Sequence, residues 1–270
     1  MLGDLIMNFL LYLFAIAIGI ITGGITSLIG ASGVMVIVPV LTMFFQVSTH
    51  SAIGTSLFVD VIASLVVSYA YFKNGNIDFK SSIWIVISSI AGAQLGTQFA
   101  SQIEESSLSA LFGIVLIAAG IGLLIKSYKK NSNEKESPKK KIRFNKQWQQ
   151  ISALIVIGFG IGIISGVFGA GGGVMILLAL IMILEFPLHK AIGTSTLIMT
   201  VTALSSTIGY ASRGNINYEL GCLLSVGAVI GGILGARYAN KVNGNTLQKV
   251  VSICFMCLGV VMTIMEIVKM

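Results

Sequence analysis

Asp60 is the only carboxylate set well inside an apolar stretch of this sequence. It belongs to a series, Ser56, Asp60, Ser64 and Ser68, whose four-residue spacing puts all four on one face of a helix. A carboxyl group beside hydroxyls can pass a proton on; the plainer reading is a carboxyl held by neighbouring serines. A charge at mid-membrane depth costs about 2.5–3.5 kcal/mol on insertion scales, so Asp60 must face a bundle interior or a wet cavity. It is the candidate for proton coupling.

A second kind of chemistry needs no charged side chain. Gly30-Ala31-Ser32-Gly33 and Gly169-Ala170-Gly171-Gly172-Gly173 each precede a short apolar run. Glycine allows backbone torsions that other residues resist, and three together at Gly171, Gly172 and Gly173 oppose continuous helix. A helix resuming at Val34 or Val174 would turn free N–H groups and a partial positive charge toward the break, which suits an anion. Ala-Ile-Gly-Thr-Ser follows in both places, with Thr55 and Ser56 in one and Thr194 and Ser195 in the other. These hydroxyls can cap a helix or contact an anion, and the two roles are compatible. The substrate-binding candidates are therefore Gly30, Ser32, Gly33, Thr55, Ser56, Gly171, Gly172, Gly173, Thr194 and Ser195. No catalytic residue, metal ligand or cofactor is called for. His50 and His189, without nearby carboxylates or thiols, read as loop or helix-start residues and not as a metal site.

The elements that carry these residues are apolar and duplicated. Of 270 residues 55% are hydrophobic and 10% charged, against roughly 25% charged in a soluble domain. Charge-free runs separate Asp4 from Asp60, Lys146 from Glu185, and Lys190 from Arg213. About 20 apolar residues suffice to cross a bilayer, so this is an integral membrane protein. No basic region precedes the first apolar stretch, which argues against a cleaved signal peptide. His-Ser-Ala-Ile-Gly-Thr-Ser at His50 recurs as His-Lys-Ala-Ile-Gly-Thr-Ser at His189, and Gly-Asn-Ile at Gly75 recurs at Gly214, both 139 residues on. Each copy reads as five apolar segments, the second of which is too short to span and should be a half-helix. The fold class is an all-α integral membrane protein of two homologous repeats, with 8–10 transmembrane segments including the short glycine-broken half-helices. The Gly92/Gly96, Gly231/Gly235 and Gly158/Gly162/Gly166 spacings fit close helix packing through small residues. Cys254 and Cys257, a C-x-x-C in an apolar helix, read as packing residues.

The net charge of +7 lies wholly in Lys126 to Lys146, with nine basic and two acidic residues. That marks a cytoplasmic loop under the positive-inside rule and not a nucleic-acid surface. The division is a first transmembrane repeat at 1–125, a basic cytoplasmic linker at 126–149 and a second repeat at 150–270. With the linker inside, inverted copies put six of the eight other relevant basic residues inside, and parallel copies four of eight. Inversion is favoured.

Gly-x-Gly-x-x-Ser-Gly-x-x-Gly-Ala-Gly-Gly-Gly at Gly160 to Gly173, with Ala-Ile-Gly-Thr-Ser twice and Gly-Asn-Ile, resembles the TauE/SafE family of sulfite exporters and toluene-sulfonate uptake permeases. The resemblance covers both halves apart from the linker. It implies a multi-pass permease of a prokaryotic cytoplasmic membrane, moving small anions that are often sulfur-containing acids or oxoanions such as sulfite or a sulfonate. Gly30-Ala31-Ser32-Gly33 departs from the fuller glycine run of that pattern. Broken helices at matching positions of two halves point independently to a transporter. The sequence has no nucleotide-binding fingerprint, and it lacks the clustered carboxylates or Ser/His pairing of an intramembrane enzyme. The reading is a secondary transporter and not an enzyme, with a small anion and the lipid bilayer as partners, no nucleic acid, and an open oligomeric state. The alternative is a passive anion channel or a membrane scaffold.

Overall fold

The computed structural model describes residues 2–30, 32–100, 117–118, 120–122, 124–125, 148, 152, 154–156, 158–160, 163, 172–182 and 184–269. The linker 126–149, apart from residue 148, and Gly171 lie outside the described residues. The described residues form helices α1 (Leu2–Ile29), α2 (Val34–Phe44), α3 (Thr49–Lys73), α4 (Phe79–Ala100), α5 (Gly172–Met182), α6 (Leu188–Ala211), α7 (Tyr218–Lys241) and α8 (Gly244–Lys269). Apolar stretches of 20 to 24 residues in α1, α3, α6 and α7 are long enough to cross a membrane. At about 1.5 Å per residue, 24 residues reach about 36 Å, more than the ~30 Å hydrocarbon core. Helices α2 and α5, of 11 residues each, do not reach across and are the half-helices expected from sequence.

Burial runs opposite to that of a soluble protein. On α3, Ser56, Asp60, Ser64 and Ser68 are buried, whereas Leu65, Tyr69 and Phe72 are more than half exposed. Such a helix is stable only where its outer face meets lipid.

The chain falls into two compact units, Met1–Asp78 with Ile192–Lys241, and Phe79–Ala191 with Val242–Met270. Each unit joins elements from both copies. In the first, α1 and α7 pack backbone against backbone. A Cβ on Gly23 would meet the carbonyl of Ala228, one on Gly227 that of Ile16, and one on Gly231 that of Ile20. The rising order of these pairs makes the two helices parallel, and close approach through small residues is the attraction open to helices in lipid. In the second unit Gly158 meets Ile85 and Ser88 of α4 in the same way; these positions are the 139-residue counterparts of Gly19, Leu224 and Gly227.

Within the first unit the chain direction reverses between the end of α1 at Gly30 and the N-cap of α2 at Gly33. Half-helix α2 then runs back along α1, bringing Gly33 beside Thr22 and the Phe44 ring 5.4 Å from that of Phe14. Ile37 and Leu41 of α2 join Ala15, Val59, Ala63, Leu224 and Ala228 in one apolar core. The α2 helix ends with Gln46 at φ 52° and the Val47 amide donating to the Leu41 carbonyl, the C-terminal turn that satisfies orphan carbonyls. Glu185, at φ 51°, and the Phe186–Leu180 bond repeat that turn after α5.

Helices α3 and α6 lie side by side and antiparallel. The amide of Asn217, beyond the end of α6, donates to Thr55 Oγ1 near the start of α3 at 2.8 Å. The amide of Asp78, beyond the end of α3, donates to Thr194 Oγ1 near the start of α6 at 3.1 Å. A Cβ on Gly54 would collide with the Asn215 carbonyl and one on Gly193 with the Asn76 carbonyl, so both glycines give room to a crossing loop. At mid-length the Ser64 and Thr200 hydroxyls pair at 2.9 Å. Helices α3 and α6, which carry equivalent positions of the two copies, thus run in opposite directions.

Candidate functional site

The break between α1 and α2 is where Gly30, Ser32, Gly33, Asp60 and Ser195 of the sequence candidates meet. Gly30 ends α1 at φ 65°, a left-handed conformation that a side chain resists. A Cβ there would also strike the Ser195 hydroxyl of α6, which lies 3.4 Å from the Gly30 carbonyl oxygen. Gly33 is the N-cap of α2. Gly33 is held close: a Cβ on it would lie 3.1 Å from Thr22 Cβ and 3.4 Å from Asp60 Oδ1.

Asp60 occupies the amino end of α2. The Gly33 amide donates to its Oδ1 at 2.9 Å, and the Ser32 hydroxyl donates to its Oδ2. Ser32 Oγ in turn accepts the Val34 amide at 3.1 Å. Two donors and the positive end of a helix thus surround a carboxylate that is 2% exposed. Charge-assisted bonds of this kind are the stronger ones. The sequence offered Asp60 for protons and Ser32 and Gly33 for an anion as separate sites; the structure joins them in one bonded cluster.

Polar groups continue around the break. Thr22 donates to the Ile18 and Gly19 carbonyls at 3.0 Å, the usual arrangement for a hydroxyl inside a helix. Ser195 donates likewise to Ile192 and Thr200 to Thr196. Thr26 and Ser56 differ: both are buried, at 1% and 0% exposure, and neither hydroxyl has a hydrogen-bond partner. A stripe of Thr22 and Thr26 at helical spacing in an apolar segment was a signal available in the sequence, and so was Thr200.

The remaining candidates are placed differently. Thr55 and Thr194 accept loop amides, and Ser56 and Ser195 are buried one residue beyond them. Ala-Ile-Gly-Thr-Ser is not a cap: α3 begins at Thr49 and α6 at Leu188, so the motif lies in the second turn and beyond. Both helices start directly after the left-handed turns at Gln46 and Glu185, which leaves no room for a longer loop. His50 and His189 consequently sit in first helical turns, with the His189 ring 3.1 Å from the Val242 carbonyl oxygen. Gly172 and Gly173 open α5. In α6 the residue equivalent to Asp60 is Met199, 3% exposed.

Comparison with known proteins agrees with this architecture. The profile of the family described as "Sulfite exporter TauE/SafE" matches residues 15–262. The chain is 30% identical to "Probable membrane transporter protein YunE" of Bacillus subtilis, over 92% of this chain and 96% of that one. It is 28% identical to "Probable membrane transporter protein YdhB" of the same organism, over 86% and 90% of the two chains. A probable membrane transporter protein of the archaeon Methanocaldococcus jannaschii is 27% identical over 94% and 97%. No solved structure matches the chain. With its apolar helices, its buried polar face and its glycine-broken half-helix, the chain belongs to the sulfite exporter TauE/SafE family of multi-pass cell-membrane transporters.

Proposed function

We propose that the protein is a secondary transporter for a small anion, a sulfur oxoanion or sulfonate such as sulfite, with Asp60 coupling movement to protons. One observation carries this reading: the break between α1 and α2 already holds an oxyanion, the Asp60 carboxylate, on a backbone amide and a hydroxyl. Donors of that kind recognise a carboxylate, a sulfonate or a sulfite by the same geometry, without a fixed cationic side chain. The description of the family as sulfite exporters supports the substrate class. Gly30, Ser32, Gly33, Ser56 and Ser195 are the groups we assign to anion contact in the first unit, with Thr55 and Thr194 holding their helices in place; in the second unit the glycines that open α5 are assigned the same role by sequence equivalence. The chain is read as a carrier without enzymatic activity.

Flux into proteoliposomes tests the proposal. With sulfite, thiosulfate, a sulfonate and a carboxylate offered in turn under an imposed pH gradient, at least one should accumulate beyond equilibrium. Mere equilibration would favour a passive channel. Absence of flux for all four would remove the transport reading of this site.

A further inference from the structure

The carboxylate is not needed to build a helix of this kind. Helix α6, the counterpart of α3, carries Met199 at the position equivalent to Asp60, buried at 3% exposure. What Asp60 adds is a negative charge, placed on donors that favour any oxyanion. Resting on the anion-transport reading above, we propose that Asp60 is a tethered competitor for the substrate. Its carboxylate fills the Ser32–Gly33 seat while ionised, and it yields that seat to a substrate anion when a proton neutralises it.

The surroundings fit an exchange of occupants. Thr26 follows Thr22 by four residues on α1, and Thr22 is the residue against which Gly33 packs. Ser56 precedes Asp60 by four residues on α3. Most other buried helical hydroxyls here donate to the carbonyl three or four residues back, as Ser64, Ser68, Thr196 and Thr207 do. Thr26 and Ser56 do not, although each is more than nine-tenths buried. A buried hydroxyl without a partner costs about 1–3 kcal/mol. Two of the three such hydroxyls among the described residues, each one turn from a residue that touches the seat and on a different helix, are spare donors for an oxyanion with more oxygens than a carboxylate has.

No other described charge stands ready to take part. Helix α2 carries no titratable side chain. On α7, Tyr218, Glu219, Cys222, Arg237, Tyr238 and Lys241 are all exposed. On α1, Tyr12 is bonded to Glu219. On α6, His189 and Lys190 lie in the first turn and Tyr210 in the last, away from Thr200, where that helix meets Ser64. On α3 itself, His50 is exposed in the first turn and Lys73 in the last, and the Tyr71 hydroxyl is bonded to the Ser27 carbonyl. The exchange therefore reduces to one proton and one anion. The proton goes to a carboxylate oxygen of Asp60, the Ser32 hydroxyl and Gly33 amide are released, and the anion accepts them. Proton and anion then bind with positive coupling, which is reciprocal by linkage.

Binding rather than transport separates this from the broader reading. Purified protein would be titrated with thiosulfate, methanesulfonate and benzenesulfonate, whose charge does not change near neutral pH, and anion affinity followed by thermal stabilisation. Competition predicts that wild-type affinity falls by up to about tenfold per unit rise in pH. It predicts that Asp60→Asn binds the same anion tightly with little pH dependence. A second measurement on wild type alone guards against a variant that fails to fold. Calorimetry in buffers of different ionisation enthalpy should show about one proton taken up per anion bound. Loss of anion binding in Asp60→Asn at every pH, or binding to wild type without proton uptake, would overturn the competition while leaving anion transport standing. Failure of every anion to bind either protein would overturn both.

Discussion

Helices α3 and α6 end in the same turn, with Gly75 and Gly214 both at φ 70° and the Asn76 and Asn215 amides each donating back to the carbonyl of Tyr71 and Tyr210 at 3.0 Å. Near their starts Thr55 and Thr194 make the same bond to a crossing loop, and Gly54 and Gly193 make the same room for it. Their middles diverge. Asp60 faces Met199 in the alignment of the copies, Ser64 faces Ala203, and the unpartnered Ser56 faces a Ser195 that bonds to Ile192 and lies against Gly30. What holds the helices together is kept twice, because both ends of an antiparallel pair need fastening. The charged residue is present once, because a second buried carboxylate without donors would cost several kcal/mol.

Exchanging residues between the two helices breaks this comparison. The largest effect is expected for Met199→Asp, which buries a charge on α6; it should lower stability by about 3 kcal/mol or more. Size-exclusion chromatography of the purified variant should show little monodisperse protein, and a well-behaved variant would reveal a donor seat on α6. Gly54→Ala and Gly193→Ala each drive a Cβ into a loop carbonyl and should cost about 1–3 kcal/mol apiece. Their melting temperatures should fall by similar amounts, and a large inequality would contradict the equivalence of the two ends. Thr55→Val and Thr194→Val each strip a loop amide of its acceptor, at about 1–2 kcal/mol, again nearly equal by thermal melting. Ser64→Ala, which makes α3 resemble α6, should cost under about 1 kcal/mol, since Thr200 still donates to the Thr196 carbonyl.

The duplication and the half-helices were legible because both are local. An offset of 139 residues can be counted, and a short apolar run after glycines marks a helix too short to span. The small-residue contacts were legible too, at Gly231 and Gly158, since spacing alone marks a close-packing face. How the copies interleave was not, because apolar segments look alike and their pattern does not say which will pair. Ala-Ile-Gly-Thr-Ser was mistaken for a helix start because Gln46 and Glu185, which make the left-handed turns before α3 and α6, are not residues that announce such a turn. The bond from Asp60 to Ser32 and Gly33 depends on the chain doubling back along α1, which no short window contains.

The central claim is that one carboxylate, present in only one copy, links anion movement to protons. Uptake of the transported anion by proteoliposomes under an imposed pH gradient tests it most directly, with wild type and Asp60→Asn side by side. Wild type should accumulate the anion beyond equilibrium, and entry should stop at equilibrium for Asp60→Asn. Accumulation by Asp60→Asn to the wild-type level would contradict it.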